Sequence, residues 1–259
     1  MKSPKKVSEH IVSWIENYIN EYGVKGIVVG VSGGVDSALT STLCAETGQN
    51  VLCLEMPIYQ NKDQVSRSEK HIDWLKSKYT NVTSKKIELD KTFESFVSSV
   101  PYNSSDKHEL SLANTRSRLR MVTLYYFSAL NGYIVAGTGN RVEDFGIGFY
   151  TKYGDGGVDI SPIADLLKSE VFSLAKFHKI IDEIIEAEPN DGLWNDNRSD
   201  EDQIGASYEE IETAMINFDK NEDLSHREKE VLKIYKSFNT SNKHKMDPIP
   251  VCKIPKNYL

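Results

Sequence analysis

Between residues 26 and 39 the chain passes through a β-branched apolar run (Ile27, Val28, Val29, Val31). A Ser32-Gly33-Gly34 turn follows, then Asp36-Ser37 at the head of a helical pattern. No other stretch leaves so few folds open. A buried strand that turns on two glycines straight into a helix aims its backbone amides, and the positive helix end behind them, at one point. Such a turn cradles an anion, phosphate above all. No Gly-Lys-Ser/Thr follows, so this is not a Walker loop. The alternative is a plain strand–turn–helix whose glycines serve only the turn; the complete string Ser32-Gly-Gly-Val-Asp-Ser37 after such a strand favours the cradle.

The rest of the pattern supplies a frame for that loop. Val7, Ile11, Trp14, Ile15, Tyr18 and Ile19 recur at helical spacing, so a first helix is expected over 7–22, stopped at Gly23. A strand at 26–31, a helix at 36–46, a strand at 51–56, a helix at 63–78 and a weaker strand at 84–89 follow. Phe93, Phe96 and Val97 mark a short helix, Pro101 to Asp106 a loop, 109–130 a long helix and 133–136 another buried strand. Strands alternating with helices predict an α/β fold: a doubly wound parallel sheet with helices on both faces, here with further C-terminal helices. Ligands of such sheets sit beyond the carboxyl ends of the strands, where strand order reverses. The loops after residues 31 and 136 are both strand-end loops, and both can face one site. The Gly-rich stretch 144–164 is expected to be a lid. Helices are expected at 165–178, 179–187, 207–218 and 225–239, with the Pro248, Pro250 and Pro255 segment as an extended tail. No repeat or linker divides the chain, so residues 1–259 are read as one domain.

Composition excludes several classes. A net charge of −7 without a long basic run argues against a nucleic-acid partner. Cys44, Cys53 and Cys252 are scattered and odd in number, which fits neither a disulfide framework nor a zinc site and suits a reducing compartment. No signal peptide is evident and no apolar run approaches the ~18 residues of a membrane span, so the expected setting is cytoplasmic, with no membrane partner. Among the histidines, His10, His71, His178 and His226 fall on helices as surface or packing residues, His108 lies near a helix start, and none has metal-ligand spacing.

The Ser32-Gly-Gly-Val-Asp-Ser37 string resembles the signature of the ATP pyrophosphatases, which split ATP between its α- and β-phosphates. Further strings are similar to the NAD synthetases within that group: Gly137 to Glu143, Phe149 to Asp159, Gly192-Leu-Trp194 and Asp200-Glu-Asp202. The likeness spans about residues 7–250. It implies that ammonia amidates deamido-NAD with ATP and Mg²⁺ through an acyl-adenylate, giving NAD, AMP and pyrophosphate. It assigns Gly30, Val31, Ser32, Gly33, Gly34, Val35, Asp36, Ser37, Thr138, Lys168 and Asn190 to ATP. It gives Asp36 and Glu143 to Mg²⁺, and Arg118, Lys152, Asp159, His244 and Lys245 to deamido-NAD. Asp36 and Lys168 are the residues expected to serve catalysis.

Taken without the likeness, Asp36 also reads as a carboxylate opposing the helix dipole, Glu143 as a solvated loop carboxylate, and Lys168 as a surface charge. Arg116, Arg118 and Arg120 spread over more than one helical face and cannot all meet one ligand; since the likeness picks Arg118, Arg116 and Arg120 are read as ion-pair formers. The likeness also implies a homodimer. The residues outside the matched region are too few for a glutamine-hydrolysing domain, so free ammonia is the expected donor, from solution or from a separate subunit. Three departures stand out: one extra residue within 144–148, Glu55 near a position where relatives often carry an ATP-binding arginine, and Asn190 where many carry Ser or Thr. Another ATP pyrophosphatase, or a nucleotide sensor without turnover, is the competing reading. The choice between dinucleotide and mononucleotide substrate stays open.

Overall fold

A computed structural model describes residues 1–102, 104, 107–190, 192–193, 199–218 and 224–259. Trp194, and Asn103, Ser105 and Asp106 of the expected 101–106 loop, lie outside the described residues. The elements run α1 (Pro4–Tyr22), β1 (Gly26–Gly30), α2 (Val35–Glu46), β2 (Asn50–Glu55), α3 (Lys62–Lys78), β3 (Val82–Lys86), α4 (Asp90–Ser99) and α5 (Lys107–Asn131). Then come β4 (Ile134–Ala136), a π-helical turn (Val142–Ile147), α6 (Lys168–Phe177), α7 (Asp182–Ile185), α8 (Asp200–Ile204), α9 (Tyr208–Ile216), α10 (His226–Met246) and a last 3₁₀ turn (Lys256–Tyr258).

The four strands form one parallel sheet in the order β3-β2-β1-β4. The alternation of side chains along a strand sends them to two cores. Ile27, Val29, Val51 and Cys53 pack with α1, α2 and α6 through Ile15, Leu39 and Leu174. Val28, Leu52 and Leu54 pack on the other face with α4 and α5 through Phe93, Leu119 and Leu124. A third cluster joins the π-helical turn to α9 and α10 through Val142, Ile147, Ile211 and Val231. Strand order reverses between β1 and β4, so the crevice of a doubly wound sheet opens over the loops that leave those two strands.

Several boundaries move, each for a local reason. The first helix starts at Pro4 rather than 7, because the Ser3 hydroxyl caps it and proline suits its first turn. The third strand lies at 82–86 rather than 84–89, paired residue for residue with β2. The helix expected at 165–178 starts at Lys168, and that expected at 179–187 shrinks to Asp182–Ile185 beyond Lys179, whose φ is +57°. The reciprocal cap between Ser199 and Asp202 opens α8, an element the hydrophobic pattern did not show. The final helix runs to Met246, so His244 and Lys245 sit on helix and not in the extended tail.

The 144–164 stretch is tied into the body rather than hanging as a flap. The Gly137 amide donates to the Ile160 carbonyl at 2.8 Å, and Ile147, Ile160 and Ile163 are buried. No helix among the described residues is long and apolar enough to cross a membrane. Cys44 and Cys53 are buried, and all three cysteines are free.

Candidate active site

The loop after β1 is rigid by construction. Gly33 holds φ +83°, and a Cβ there would come within 2.5 Å of the Gln64 carbonyl oxygen on α3. The Ser32 amide donates to Ser37 Oγ at 3.2 Å, and Ser37 Oγ donates to the Gly34 carbonyl at 3.0 Å. The turn is therefore stitched to the first turn of α2 before any ligand arrives. Beyond it opens a cavity of about 650 Å³, a volume suited to small-molecule ligands. Every residue from Gly30 to Ser37 lines it, as do Thr138, Lys168, Asn190 and Glu143. Arg118, Lys152, His244 and Lys245 line its far end.

The chemical centre is a buried cluster. Lys168, at the start of α6 with its side chain 4% exposed, donates from Nζ to Asp36 Oδ2 at 2.6 Å and to Glu143 Oε1 at 2.9 Å. Asn140 donates to Asp36 Oδ1 at 3.0 Å, and the Tyr208 hydroxyl lies 2.6 Å from Glu143 Oε1 and 3.2 Å from Asp200 Oδ2. Burial pushes the Asp36 carboxyl up, a rise that Lys168 only partly offsets. Burial also acts on Glu143, but Lys168, Tyr208 and Asn140 outweigh it and hold that carboxyl below its ordinary value. Burial works against the Lys168 ammonium, yet the two carboxylates raise it, so it stays charged. Tyr208 is pushed well up by burial and by Glu143, which keeps it a proton donor.

One cation, the Lys168 ammonium, touches both carboxylates, so a second cation can share them. Among the described residues no cluster of three or more His, Cys, Asp and Glu side chains converges on one point. Two carboxylates beside a phosphate cradle, without a full protein cage, is the donor set that suits Mg²⁺, which takes its remaining oxygens from phosphates and water. The residues present therefore fit that ion.

At the far end the basic residues interlock. Lys152 Nζ donates to the His244 carbonyl at 2.7 Å, Lys245 Nζ to the Tyr150 carbonyl at 2.7 Å, and Arg118 to the Lys152 carbonyl at 3.2 Å. Burial lowers the Lys245 ammonium. Asp159 does not join them in this cavity: its carboxylate accepts from the Tyr125 hydroxyl at 3.0 Å and from the Val135 amide at 2.8 Å. Glu55 also stays outside, buried and accepting from Ser68 Oγ at 2.9 Å. Asn190 Oδ1 accepts from the Gly192 amide at 2.7 Å.

Arg116 and Arg120 both donate to backbone carbonyls. Arg116 donates to the Leu193 carbonyl and lies 4.8 Å from the Phe93 ring centroid. Arg120 donates to the Met56 carbonyl at 3.0 Å. Asp155 and Arg67 are among the cavity residues to which the sequence reading gave no role. Asp155 opens on the cavity, its Oδ1 accepting from Ser117 Oγ at 2.6 Å and from the Thr151 amide at 3.0 Å, with burial raising its carboxyl. Arg67 reaches the phosphate loop from α3. Neither stands in a spacing that links it to residues 32–37.

Residues 7–248 match the model of the NAD synthase family. The NH(3)-dependent NAD(+) synthetase of Finegoldia magna is 36% identical over 214 residues, 82% of this chain and 84% of that protein. Among solved structures, the NMN synthetase of Francisella tularensis superposes with a TM-score of 0.86 at 29% identity, covering 97% of this chain and 99% of that one. The NH3-dependent NAD synthetase of Campylobacter jejuni gives 0.78 at 27% identity, covering 97% and 100%. The match over nearly the whole sequence, and the fold that carries it, place this chain in the NAD synthase family.

Proposed function

We propose that this chain forms the amide of NAD from deamido-NAD and ammonia, consuming ATP and releasing AMP and pyrophosphate. The observation that carries the reading is the single cavity in which a phosphate-loop turn, the Asp36–Lys168–Glu143 cluster and an interlocked basic end converge. A carboxylate is a poor acyl donor, because its leaving oxygen is basic and its charge repels nucleophiles. In the first step a carboxylate oxygen of deamido-NAD bonds to the α-phosphorus of ATP and the bond to the β-phosphate oxygen breaks. Amides of the Ser32–Ser37 turn and the positive end of α2 hold the leaving pyrophosphate. Asp36 and Glu143 would hold Mg²⁺, which supplies charge neutralisation on the phosphates. Lys168 keeps those carboxylates aligned and takes its place against the phosphate oxygens.

In the second step ammonia bonds to the carbonyl carbon, AMP leaves with the bridging oxygen, and one proton must depart from nitrogen. In this reading Asp155, with its carboxyl raised by burial and one oxygen held by Ser117 and Thr151, accepts that proton. The tied-down 144–164 segment walls the cavity and keeps water from the mixed anhydride.

Ammonia is the nitrogen donor in this reading, from solution or from a separate subunit, in keeping with the NH(3)-dependent enzymes the chain resembles, and residues 1–259 are read as one catalytic unit. The free, largely buried cysteines support a cytoplasmic setting. A homodimer is part of the reading: Val122, Tyr126 and Leu130 stand four apart on α5 as an exposed apolar stripe. Asp159 is tied to Tyr125 on the same helix.

The test is incubation with Mg-ATP, ammonium and deamido-NAD. NAD and AMP in equal amounts support the assignment, AMP without NAD indicates another ATP pyrophosphatase, and neither product indicates a nucleotide sensor. The likeness to the Francisella protein favours one alternative, amidation of nicotinate mononucleotide. The ratio of kcat/KM on the two substrates decides between them.

A further inference from the structure

Counting side chains alone, Asp36 and Glu143 carry two negative charges beside the phosphate loop and Lys168 cancels one, so among the described residues the cluster meets a polyphosphate with one negative charge in excess before any metal is added. Arg118, Lys152 and Lys245 are interlocked at the far end of the cavity. Glu55 lies outside the cavity and brings no cation.

Arg67 is placed to make up the deficit. It stands on α3, whose backbone is packed hard against the loop. A Cβ on Gly33 would come within 2.5 Å of the Gln64 carbonyl, 3.1 Å of the Ser68 amide and 3.3 Å of the Arg67 Cβ. Its Nε donates to the Gly33 carbonyl at 3.2 Å, which pins the guanidinium plane to the loop at the mouth of the cavity. That contact uses one donor of the fork. The two terminal amino groups have no protein partner among the described residues. A guanidinium held by one edge with its other edge free is preorganised for a second, two-pronged contact with phosphate oxygens.

We propose that Arg67 binds the β- and γ-phosphates of ATP and holds the pyrophosphate as it leaves, a cation at the loop in addition to Lys168. The assignment rests on the ATP-dependent reading above and extends it to a residue on α3 outside the loop. Because the contact is to the leaving group, it reads out in pyrophosphate and ATP, and leaves AMP and deamido-NAD alone.

The experiment titrates Mg-pyrophosphate and AMP separately into wild type, Arg67→Lys and Arg67→Gln by calorimetry, with KM for ATP and for deamido-NAD measured alongside. Loss of a charge-assisted contact to phosphate predicts about 10- to 100-fold weaker pyrophosphate binding in Arg67→Gln, with a matching rise in KM for ATP. AMP affinity and KM for deamido-NAD stay at wild-type values. Arg67→Lys keeps the charge but loses both the Nε bond to Gly33 and the two-pronged contact, and is expected between wild type and Arg67→Gln, with AMP affinity unchanged. A purely structural brace on the loop predicts the opposite pattern, with both variants equally impaired and AMP binding weakened too. That pattern, or a Gln variant that binds pyrophosphate like wild type, overturns the assignment. A wild-type protein that binds neither pyrophosphate nor ATP would sink the functional reading itself, and this inference with it.

Discussion

Replacing Lys168 by methionine removes the one cation that joins two buried carboxylates and puts a side chain of similar reach in its place. Asp36 and Glu143 are each 17% exposed, and Nζ lies 2.6 and 2.9 Å from their oxygens. Breaking a buried ion pair by deleting one partner costs about 3–5 kcal/mol, because the remaining charge stays desolvated. For a chain of this size each kcal/mol lowers Tm by about 2–4 °C, so a drop of about 6–20 °C is expected. The sign with pH follows from the shifts. In wild type Lys168 is raised above its ordinary value, so its contribution is complete below pH 10.5 and is lost only as pH rises through the folded value. In the variant both carboxyls rise above their unfolded values. The deficit is then full at pH 8 and fades as protonation neutralises them toward pH 4. The variant also frees the pair for a metal, so Mg²⁺ at ten times its Kd returns about 1.4 kcal/mol. Melting curves of both proteins at pH 8 and pH 5, with and without Mg²⁺, carry the test. A variant that melts within about 2 °C of wild type at pH 8 would refute the reasoning, as would a metal response no larger than that of wild type.

Three further outcomes follow from the same geometry. Gly33→Ala forces a Cβ to 2.5 Å from the Gln64 carbonyl at φ +83°, at a backbone cost of about 1–3 kcal/mol before the clash is counted, and calorimetry should register loss of Mg-ATP binding. Tyr208→Phe deletes the hydroxyl 2.6 Å from Glu143, which helps hold that carboxyl low. Glu143 then titrates higher, and the acidic limb of the kcat/KM profile moves to higher pH, with stability falling by about 1–3 kcal/mol. His71 is fully buried, stacked on Trp74 and pushed down to about 4 by burial. It must stay neutral to stay folded, so stability falls as pH drops from 6.5 toward 4, at up to about 1.4 kcal/mol per pH unit, and denaturant midpoints of His71→Leu should lack that component.

The residues that make the sheet were legible because strands and helices write their burial in different periods. Val28 and Val29 point to opposite cores, and Ile11, Ile15 and Ile19 keep one face of a helix. The phosphate turn was legible because Gly33 needs a backbone angle that other residues rarely adopt. What was not legible lies where tertiary contact decides. The last turns of α10 carry a polar sequence, Asn239 to Met246, and no apolar repeat announces a helix there. They are held by Asn239 and Asn242, which donate to the Gly146 and Ile147 carbonyls of the π-helical turn. Tyr208 meets Glu143 and Asp200 only after α8 and α9 have folded back, and no spacing in the chain foretells it. Asp159 matched a dinucleotide-binding position by its place in a string, yet its oxygens are used to fasten the loop to β4 and α5.

The most direct trial of the central claim uses deamido-NAD labelled with ¹⁸O in its nicotinate carboxylate, incubated with unlabelled Mg-ATP and ammonium. If the carboxylate attacks the α-phosphorus over the Ser32–Ser37 turn, one labelled oxygen per turnover appears in AMP and none in pyrophosphate. Label found in pyrophosphate or inorganic phosphate, or retained wholly outside AMP while NAD forms, would contradict it.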